Sequence, residues 1–352
     1  MSLQQIIKDK IIQEKYITIK DFINLSLFHS KFGYYINNDP IGKNKDFTTS
    51  PEISQIFGEI IAFFIVDFWQ RKYPNQKVNL VEMGAGHGSL MCDFLRIAVR
   101  IPEFYHKINI NIIEINQKLK EVQKNNLDQF NIKWWGNFND FLDNCQNLPI
   151  FFISNELFDC FAIDQFIFEN NIWYQKVIFL EKNKLKFDKI KVKSDINSII
   201  PKEFKKNLRN NSIFEQNTDS EEFMKKLSEQ IFQKGGIALN IDYGYYENFF
   251  QNTLQSIKVH KFNSILENIG QADLTSHVNF YKLIEISLKN QLNVDFMTQR
   301  EFLLSNGIEL RRKMLLESMG GDKSEINSST NRLIDSSKMG NLFKVMISYA
   351  SS

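Results

Sequence analysis

Cysteine is scarce in this sequence of 352 residues, which contains three: Cys92, Cys145 and Cys160. Three scattered cysteines are too few for a disulfide framework or for a tetrahedral zinc site. We therefore expect no metal centre. We also expect a reducing compartment, in which the cysteines serve as small apolar residues of the interior.

The sequence also has a small net charge and lacks a long apolar run. The 43 basic and 41 acidic residues are interleaved and leave a net charge of +2, so we expect no basic face for nucleic acid. The most apolar stretch, residues 53–69, contains Gln55, Glu59 and Asp67 and is too short to cross a bilayer. The first 15 residues contain acids and lack an apolar core, unlike a signal or transit peptide. We expect a cytoplasmic chain without membrane insertion, and we make no prediction of its oligomeric state.

A closely spaced glycine cluster follows a short apolar run. Residues 78–83, V-N-L-V-E-M, predict a buried strand, and the apolar spacing behind the glycines predicts a helix. Between them, Gly84, Gly86 and Gly88 form G-x-G-x-G, and Glu82 precedes them by two residues. Dinucleotide sites use G-x-G-x-x-G, whereas this spacing after an acid is typical of class I S-adenosylmethionine-dependent methyltransferases. We predict that these four residues bind S-adenosylmethionine; the alternative is a glycine-rich turn without a ligand.

A second acid, Glu114, lies at the end of the next predicted strand, residues 108–115. In a doubly wound sheet, an acid at this position accepts hydrogen bonds from a ribose diol, so we predict that Glu114 binds the cofactor. Trp134 and Trp135 follow on the third predicted strand. We weigh two roles for them, packing near the adenine or membership of the core.

Polar residues follow the fourth predicted strand, residues 149–154. Asn155, Glu156 and Asp159 come at its carboxyl end, where open α/β sheets place ligands and chemistry. We predict that Asn155 contacts the cofactor and that Glu156 and Asp159 are catalytic. The alternative makes Asn155 a turn former and Asp159 a helix cap, but it leaves Glu156 unexplained.

Helix-start signals occur together in residues 46–54, D-F-T-T-S-P-E-I-S. Ser50 is a suitable cap, Pro51 suits the first helical position and Glu52 lies in the first turn, so we predict a helix from Ser50 to about Arg71.

The residues before this helix start, F-T-T, exceed what capping requires. We therefore predict that residues 46–54 fold over the cofactor as a lid, with Asp46 and Thr48 beside it. The alternative is a plain capped helix that packs on the edge of the sheet.

The order of the elements predicts the fold class. Two short helices within residues 3–28 precede strands and helices that alternate, which indicates an α/β, Rossmann-like, seven-stranded doubly wound sheet with an N-terminal helical extension. Period-two alternation from about residue 164 to 193 predicts an antiparallel β insertion, and residues 246–275 predict a long loop. We divide the chain into a helical region and lid, 1–75, and a methyltransferase domain, 76–352, with an inserted lobe at about 160–235.

Several segments together resemble the MidA-like family of class I methyltransferases, in the order in which the family has them. They are F-G-Y-Y at 32–35, residues 46–54, the glycine stretch, S-N-E-L-F-D at 154–159, I-D-Y-G at 241–244, G-Q-A-D-L-T at 270–275 and L-F-K-V at 342–345. Mitochondrial members of this family assist assembly of respiratory complex I and are taken to dimethylate an arginine on one of its subunits. The resemblance therefore implies S-adenosylmethionine as cofactor and a protein substrate, possibly a complex I subunit. The chain departs from the family at Ala85 and His87, which leave the glycines intact, and at Asn279, on the substrate side.

An arginine substrate suggests roles for the remaining candidates. A guanidinium, whose pKa exceeds about 12, must be oriented by carboxylates and must lose a proton as the C–N bond forms. We predict that Glu156 and Asp159 form that clamp, and we consider His260 and His277 as weaker candidates for accepting the proton. Amide methyltransferases of this fold usually carry N-P-P-Y where this chain has S-N-E-L, which argues against glutamine methylation. Two alternatives remain, a small-molecule methyltransferase and an assembly chaperone that binds S-adenosylmethionine without catalysis.

Overall fold

The computed structural model describes residues 2–39, 42, 48–192, 194–247, 249–318 and 323–351. Its α-helices are α1 (Leu3–Glu14), α2 (Ile19–Phe28), α3 (Tyr34–Asn37), α4 (Ser50–Ile53), α5 (Gln55–Lys72), α6 (Ser89–Ala98), α7 (Pro102–Tyr105), α8 (Gln117–Asn126), α9 (Phe138–Asn144), α10 (Lys202–Lys205), α11 (Thr218–Lys234), α12 (Phe280–Lys289), α13 (Gln299–Ser305), α14 (Ile308–Ser318), α15 (Ser324–Ile334) and α16 (Met339–Leu342).

The β-strands are β1 (Ile17–Thr18), β2 (Val78–Met83), β3 (Ile108–Ile113), β4 (Ile132–Trp135), β5 (Ile150–Asn155), β6 (Asp164–Glu169), β7 (Ile172–Glu181), β8 (Lys184–Lys191), β9 (Ser212–Gln216), β10 (Gly236–Tyr245), β11 (Gln255–Lys258), β12 (Lys261–Asn263), β13 (Asp273–Thr275), β14 (Val278–Asn279), β15 (Asn293–Thr298) and β16 (Phe343–Tyr349).

A mixed sheet in the order β15-β16-β10-β5-β2-β3-β4 forms the centre of the fold. Its strands from β10 to β4 are parallel, and β16 runs antiparallel to both of its neighbours. Strand β5 is buried along its whole length, as expected for a parallel strand with both faces covered. The α/β, doubly wound prediction is therefore confirmed. The sheet also includes β14, a two-residue strand beside the end of β10, so it has eight strands where seven were predicted; two residues are too few for a detectable alternation.

The chain changes direction across this sheet at β2. Strands β3 and β4 follow on one side of β2, whereas β5 pairs with its other side. At such a switch point the carboxyl ends of the two strands bound a crevice in which open α/β sheets bind ligands. The glycine turn after β2 and the polar residues after β5 both lie at this edge.

The predicted helix from Ser50 to about Arg71 is interrupted in the structure. Thr49, and not the predicted Ser50, occupies the N-cap position of the short α4, and Ser54 adopts an extended conformation with φ −158° and ψ 130°. The Ser54 hydroxyl then accepts a hydrogen bond from the Ile56 N–H and caps α5. The prediction of one continuous helix was wrong. Serine favours N-cap positions over helix interiors, and the chain has two possible helix starts four residues apart, at Ser50 and at Ser54.

The chain forms two compact units. The first comprises Met1–Pro40, Phe158–Phe223 and Gly244–Leu283, and the second comprises Ile41–Leu157, Met224–Tyr243 and Ile284–Ser352. The division predicted from sequence, at residue 75 with a lobe at about 160–235, partitions the chain differently and stays a prediction. Among the described residues, no helix is long and apolar enough to span a membrane.

The first unit contains the predicted antiparallel insertion. Strands β6, β7 and β8 join β1 and β9 in one sheet, in the order β1-β7-β6-β9 with β8 on β7. A second sheet, β12-β11-β13, lies within residues 246–275, where the sequence predicted only a long loop. That prediction was wrong because these strands are three or four residues long and largely polar.

Candidate active site

The three glycines after β2 form the turn that leads into α6. Their φ angles are 74° at Gly84, 55° at Gly86 and 82° at Gly88, all in the left-handed region that favours glycine. A Cβ at Gly84 would lie 3.3 Å from Cδ1 of Leu157, the residue that follows the polar stretch after β5. The turn therefore has backbone angles that favour glycine, and a side chain at Gly84 would crowd Leu157.

Two buried acceptors at the carboxyl ends of the strands lack donors. Glu82 is the penultimate residue of β2, with 3% of its surface exposed, and Asn155 ends the neighbouring β5 with 8% exposed. Oε2 of Glu82 and Oδ1 of Asn155 accept no hydrogen bond from any part of the chain that the structure describes. Burial, and secondarily the Glu114 carboxylate, raises the pKa of Glu82 to about 8. These features fit the α-amino group of S-adenosylmethionine, which offers both N–H donors and positive charge.

The Glu114 carboxylate is held on both oxygens. The Asn116 N–H donates to Oε1 (2.8 Å), and the Gln123 side-chain amide donates to Oε2 (3.0 Å). Burial raises the pKa of Glu114, and these two hydrogen bonds oppose that shift. A carboxylate has about four lone-pair sites, so this one retains capacity for the predicted ribose hydroxyls.

Gln123, which was not among the residues predicted from the sequence, links three elements of the site. Its signal was weak: Leu119, Gln123 and Leu127 follow one another at intervals of four residues, and all three are buried. A polar residue between two buried leucines on one helix face is the feature that could have identified it.

The tryptophans have separate partners. The Trp134 indole donates to Oε1 of Gln123 (3.1 Å), and the Trp135 indole donates to Oδ1 of Asn111 (2.9 Å). Trp134 is thus joined through Gln123 to Glu114. Trp135 is joined to Asn111, a buried residue of β3.

Glu156 lies directly after β5 in an unusual conformation. Its φ is 52°, a value that residues other than glycine rarely adopt. Its N–H donates to the Ile241 carbonyl (2.9 Å), which extends the pairing with β10. Oε1 of its carboxylate accepts from the Ser50 N–H (3.3 Å) and from the Asn155 amide (3.0 Å). The backbone and the carboxylate of Glu156 are therefore both fixed.

The segment that was predicted to be a lid is described from Thr48 onward, and Asp46 lies outside the described residues. Besides the bond from Ser50 to Glu156, the Ser89 hydroxyl donates to Oε1 of Glu52 (2.6 Å), and Nδ1 of His87 lies 3.4 Å from the same oxygen. Helix α4 is thus tied to the glycine turn. The contact of Asp46 and Thr48 with the cofactor stays a prediction.

The other candidate residues belong to the first unit. Asp159 is 6% exposed, and its carbonyl accepts from the Ser276 N–H (3.0 Å). His277 lines a cavity of about 560 Å³, and its N–H donates to the Thr253 hydroxyl (2.9 Å). His260 is exposed at the turn between β11 and β12, with φ 58°. The catalytic roles of Asp159, His260 and His277 stay predictions.

A partly buried tyrosine, Tyr35, lies near Asp159 in this unit. The Tyr35 hydroxyl donates to Oδ1 of Asp273 (2.8 Å). Burial, followed by the charges of Asp273, Cys160 and Asp159, raises the pKa of Tyr35 well above its usual value. Tyr35 and Asp273 both lie in segments that resemble the family, but the sequence assigned no role to either, because their contact joins residues more than 230 positions apart.

Comparisons with known proteins agree with this geometry. A family model described as an S-adenosyl-L-methionine-dependent methyltransferase matches residues 60–298. The chain is similar to the mitochondrial protein arginine methyltransferase NDUFAF7 of Danio rerio, with 29% identity over an alignment of 366 residues, gaps included. The alignment covers 97% of this chain and 86% of the relative. Its identity to the Homo sapiens protein of the same name is 26% over 353 residues, covering 93% and 78%.

A solved structure shares the fold. It is a protein from Burkholderia thailandensis, crystallised bound to S-adenosyl-homocysteine, and it superimposes with a TM-score of 0.84. The superposition covers 99% of this chain and 91% of that chain at 18% identity.

Proposed function

Because the chain belongs to a family of S-adenosylmethionine-dependent methyltransferases, we propose that it methylates arginine side chains of a protein, a subunit of respiratory complex I (NADH-quinone oxidoreductase). Relatives that align with nearly the whole chain are named protein arginine methyltransferases, which supports the type of acceptor. The proposal that the substrate is a complex I subunit rests on the family resemblance of the sequence. The names of those relatives also include the mitochondrion, whereas we keep the cytoplasm as the proposed location of this chain.

The cofactor site draws on residues at the ends of β2, β3 and β5. We assign the amino-acid part of S-adenosylmethionine to Glu82 and Asn155, whose unpartnered acceptors need donors. We assign binding of the ribose to Glu114. We assign the close contact between cofactor and protein backbone to the glycine turn. When bound, the cofactor supplies a methyl group that its sulfonium already activates, so the protein's contribution is to position the acceptor.

The observation that carries the arginine proposal is the fixed carboxylate of Glu156. It lies at the strand exit, on a backbone whose φ of 52° is strained for a glutamate, and such strain is commonly found at active sites. The Ser50 N–H and the Asn155 amide hold Oε1 in one orientation. A carboxylate held in this way can accept the paired N–H donors of a guanidinium and keep its planar fork in one orientation.

Glu156 can also accept the proton that the guanidinium loses during methyl transfer. A guanidinium is protonated at every physiological pH, and its nitrogen must lose a proton once the new bond to carbon has formed. A nearby carboxylate stabilises the cation while it is being aligned and offers an acceptor as the proton leaves. Asp159 remains the proposed second carboxylate of this clamp.

The test is identification of the acceptor. Purified protein is incubated with methyl-labelled S-adenosylmethionine and with complex I subunits from cells that lack this protein, and labelled peptides are sequenced by mass spectrometry. We expect the label on an arginine of one subunit. Label on a small molecule, or on no component although the cofactor binds, would refute the proposal and favour one of the two alternatives.

A further inference from the structure

Gln123 on α8 is fully buried, and its amide is completely engaged. Nε2 donates to the Gly86 carbonyl (2.9 Å) and to Oε2 of Glu114 (3.0 Å). Oε1 accepts from the Trp134 indole (3.1 Å). Both N–H groups and the oxygen therefore have partners, at 0% exposure of the side chain.

These partners permit only one orientation of the amide. A rotation by half a turn would place the carbonyl oxygen of Gln123 against the Gly86 carbonyl and the Glu114 carboxylate. It would also place an N–H group against the indole N–H of Trp134. Because every contact would then be repulsive or unpaired in a buried position, the observed orientation is fixed.

The fixed amide connects the two parts of the predicted cofactor site. One N–H holds the middle of the glycine turn, and the other holds the Glu114 carboxylate, whose second oxygen is held by the Asn116 N–H. With a donor on each oxygen, the carboxylate cannot rotate about its last bond without breaking a buried hydrogen bond. Its remaining lone pairs therefore point in constant directions.

We propose that Gln123 is a positioning residue that aims the Glu114 carboxylate at the ribose hydroxyls of the cofactor. This inference rests on the proposed cofactor site. Because Gln123 donates to Glu114, its loss should weaken recognition of the ribose hydroxyls more than the loss of its hydrogen bond to Gly86 weakens binding of the rest of the ligand. A glutamine that served only to fill the core would affect all ligands of the site equally.

Calorimetry with S-adenosylhomocysteine and its 2′,3′-dideoxy analogue separates these roles. The wild-type protein should bind S-adenosylhomocysteine at least about tenfold more tightly than the analogue, because hydrogen bonds to a charged group are lost with the hydroxyls. Gln123→Met keeps the size of the side chain and removes all three hydrogen bonds. It should weaken S-adenosylhomocysteine at least about tenfold and the analogue less than about threefold, so that the preference for ribose nearly disappears.

Gln165→Met is the matched control. Gln165 is also 0% exposed, and its amide donates to Glu215 (2.7 Å) and to Asn252 (2.8 Å) and accepts from Lys176 (2.9 Å). It has the same hydrogen-bonding pattern but lies in the first unit, so its loss should leave the preference for ribose unchanged. If Gln165→Met also abolished the preference, the effect would reflect a general loss of packing and would overturn the inference.

Trp134→Phe provides a milder second variant in case Gln123→Met does not fold. It removes the N–H that fixes the oxygen of Gln123, together with part of the ring, and should lower the preference for ribose about threefold. Equal weakening of both ligands in these variants would overturn the positioning role. So would a wild-type protein without preference for ribose, even if it transferred methyl groups normally; failure to bind S-adenosylhomocysteine at all would instead refute the cofactor site itself.

Discussion

At the scale of single residues, Gly84 controls access of a ligand to the glycine turn. Its φ of 74°, and the 3.3 Å that would separate a Cβ from the Leu157 side chain, leave no unstrained place for a larger residue. We expect Gly84→Val to weaken S-adenosylhomocysteine at least about 100-fold in calorimetry, since strain of about 1–3 kcal/mol adds to steric intrusion. Gly307→Val is the control, because Gly307 has φ 88° but open space around it. Undiminished affinity of Gly84→Val would remove the turn from the site.

Glu82 should couple cofactor binding to pH. Because its pKa is raised from 4.5 to about 8, the folded protein without ligand keeps this proton at pH 7, whereas the unfolded chain does not. Glu82 therefore lowers the stability of the fold as the pH rises from about 4.5 to about 8. A cationic group bound to its carboxylate reverses this preference and expels the proton.

We accordingly expect the affinity for S-adenosylmethionine to rise between pH 6 and 8, with release of a proton near pH 7. Calorimetry in buffers of different ionisation enthalpy measures that proton directly. Glu82→Gln should abolish the part of the release that belongs to this residue. The same proton release in both proteins would show that Glu82 does not contact the cation.

The sequence predicted the residues whose meaning is local. The spacing of Gly84, Gly86 and Gly88 after Glu82 is visible within seven positions, and the structure gives all three glycines the backbone conformation that explains them. Gln123 was not predicted, because its partners come from the glycine turn, from the end of β3 and from β4. A single sequence does not show which distant elements meet.

At the scale of elements, α4 is the segment whose role is most open to test. Oε1 of Glu52 accepts the Ser89 hydroxyl and lies near His87, so this helix is fastened to the turn that should hold the cofactor. If the segment closes over the ligand, Glu52→Ala should speed the dissociation of S-adenosylhomocysteine about tenfold in stopped-flow measurements, because a hydrogen bond to a charged group is lost.

Glu103→Ala is the control for this experiment. Glu103 is an exposed acid in the first turn of α7. Because α7 directly precedes β3, it lies at the amino ends of the parallel strands, opposite to the carboxyl ends that form the predicted site. It removes the same charge and should leave dissociation unchanged. Equal dissociation rates for Glu52→Ala and the wild type would favour the alternative, a plain capped helix.

Element prediction succeeded where periodicity was long and failed where it was short. The buried strands β2, β3 and β5 have six residues each and were predicted within two positions. The break at Ser54 and strands β9 and β11 to β13 were missed, because each depends on a few polar residues whose conformation is set by their neighbours in space.

At the scale of the whole molecule, the order of strands and helices was enough to predict the α/β class, since few topologies satisfy right-handed crossovers and short connections. The two compact units depend on contacts between distant parts of the sequence, and the division predicted from the sequence stays a prediction. The first unit is assembled from three separate segments of chain, and only long-range contacts define it.

In the proposed function, Glu156 orients an arginine for methyl transfer. Glu156→Gln removes the charge and keeps an oxygen that can accept from the Ser50 N–H and the Asn155 amide, so the local structure and cofactor affinity should persist. The most direct measurement is the rate of methyl transfer to arginine in the protein substrate, followed by mass spectrometry beside calorimetry of the cofactor. We predict a rate lower by at least about 100-fold with unchanged cofactor affinity. A rate within about threefold of wild type, with cofactor binding intact, would contradict this role and make Glu156 a structural residue.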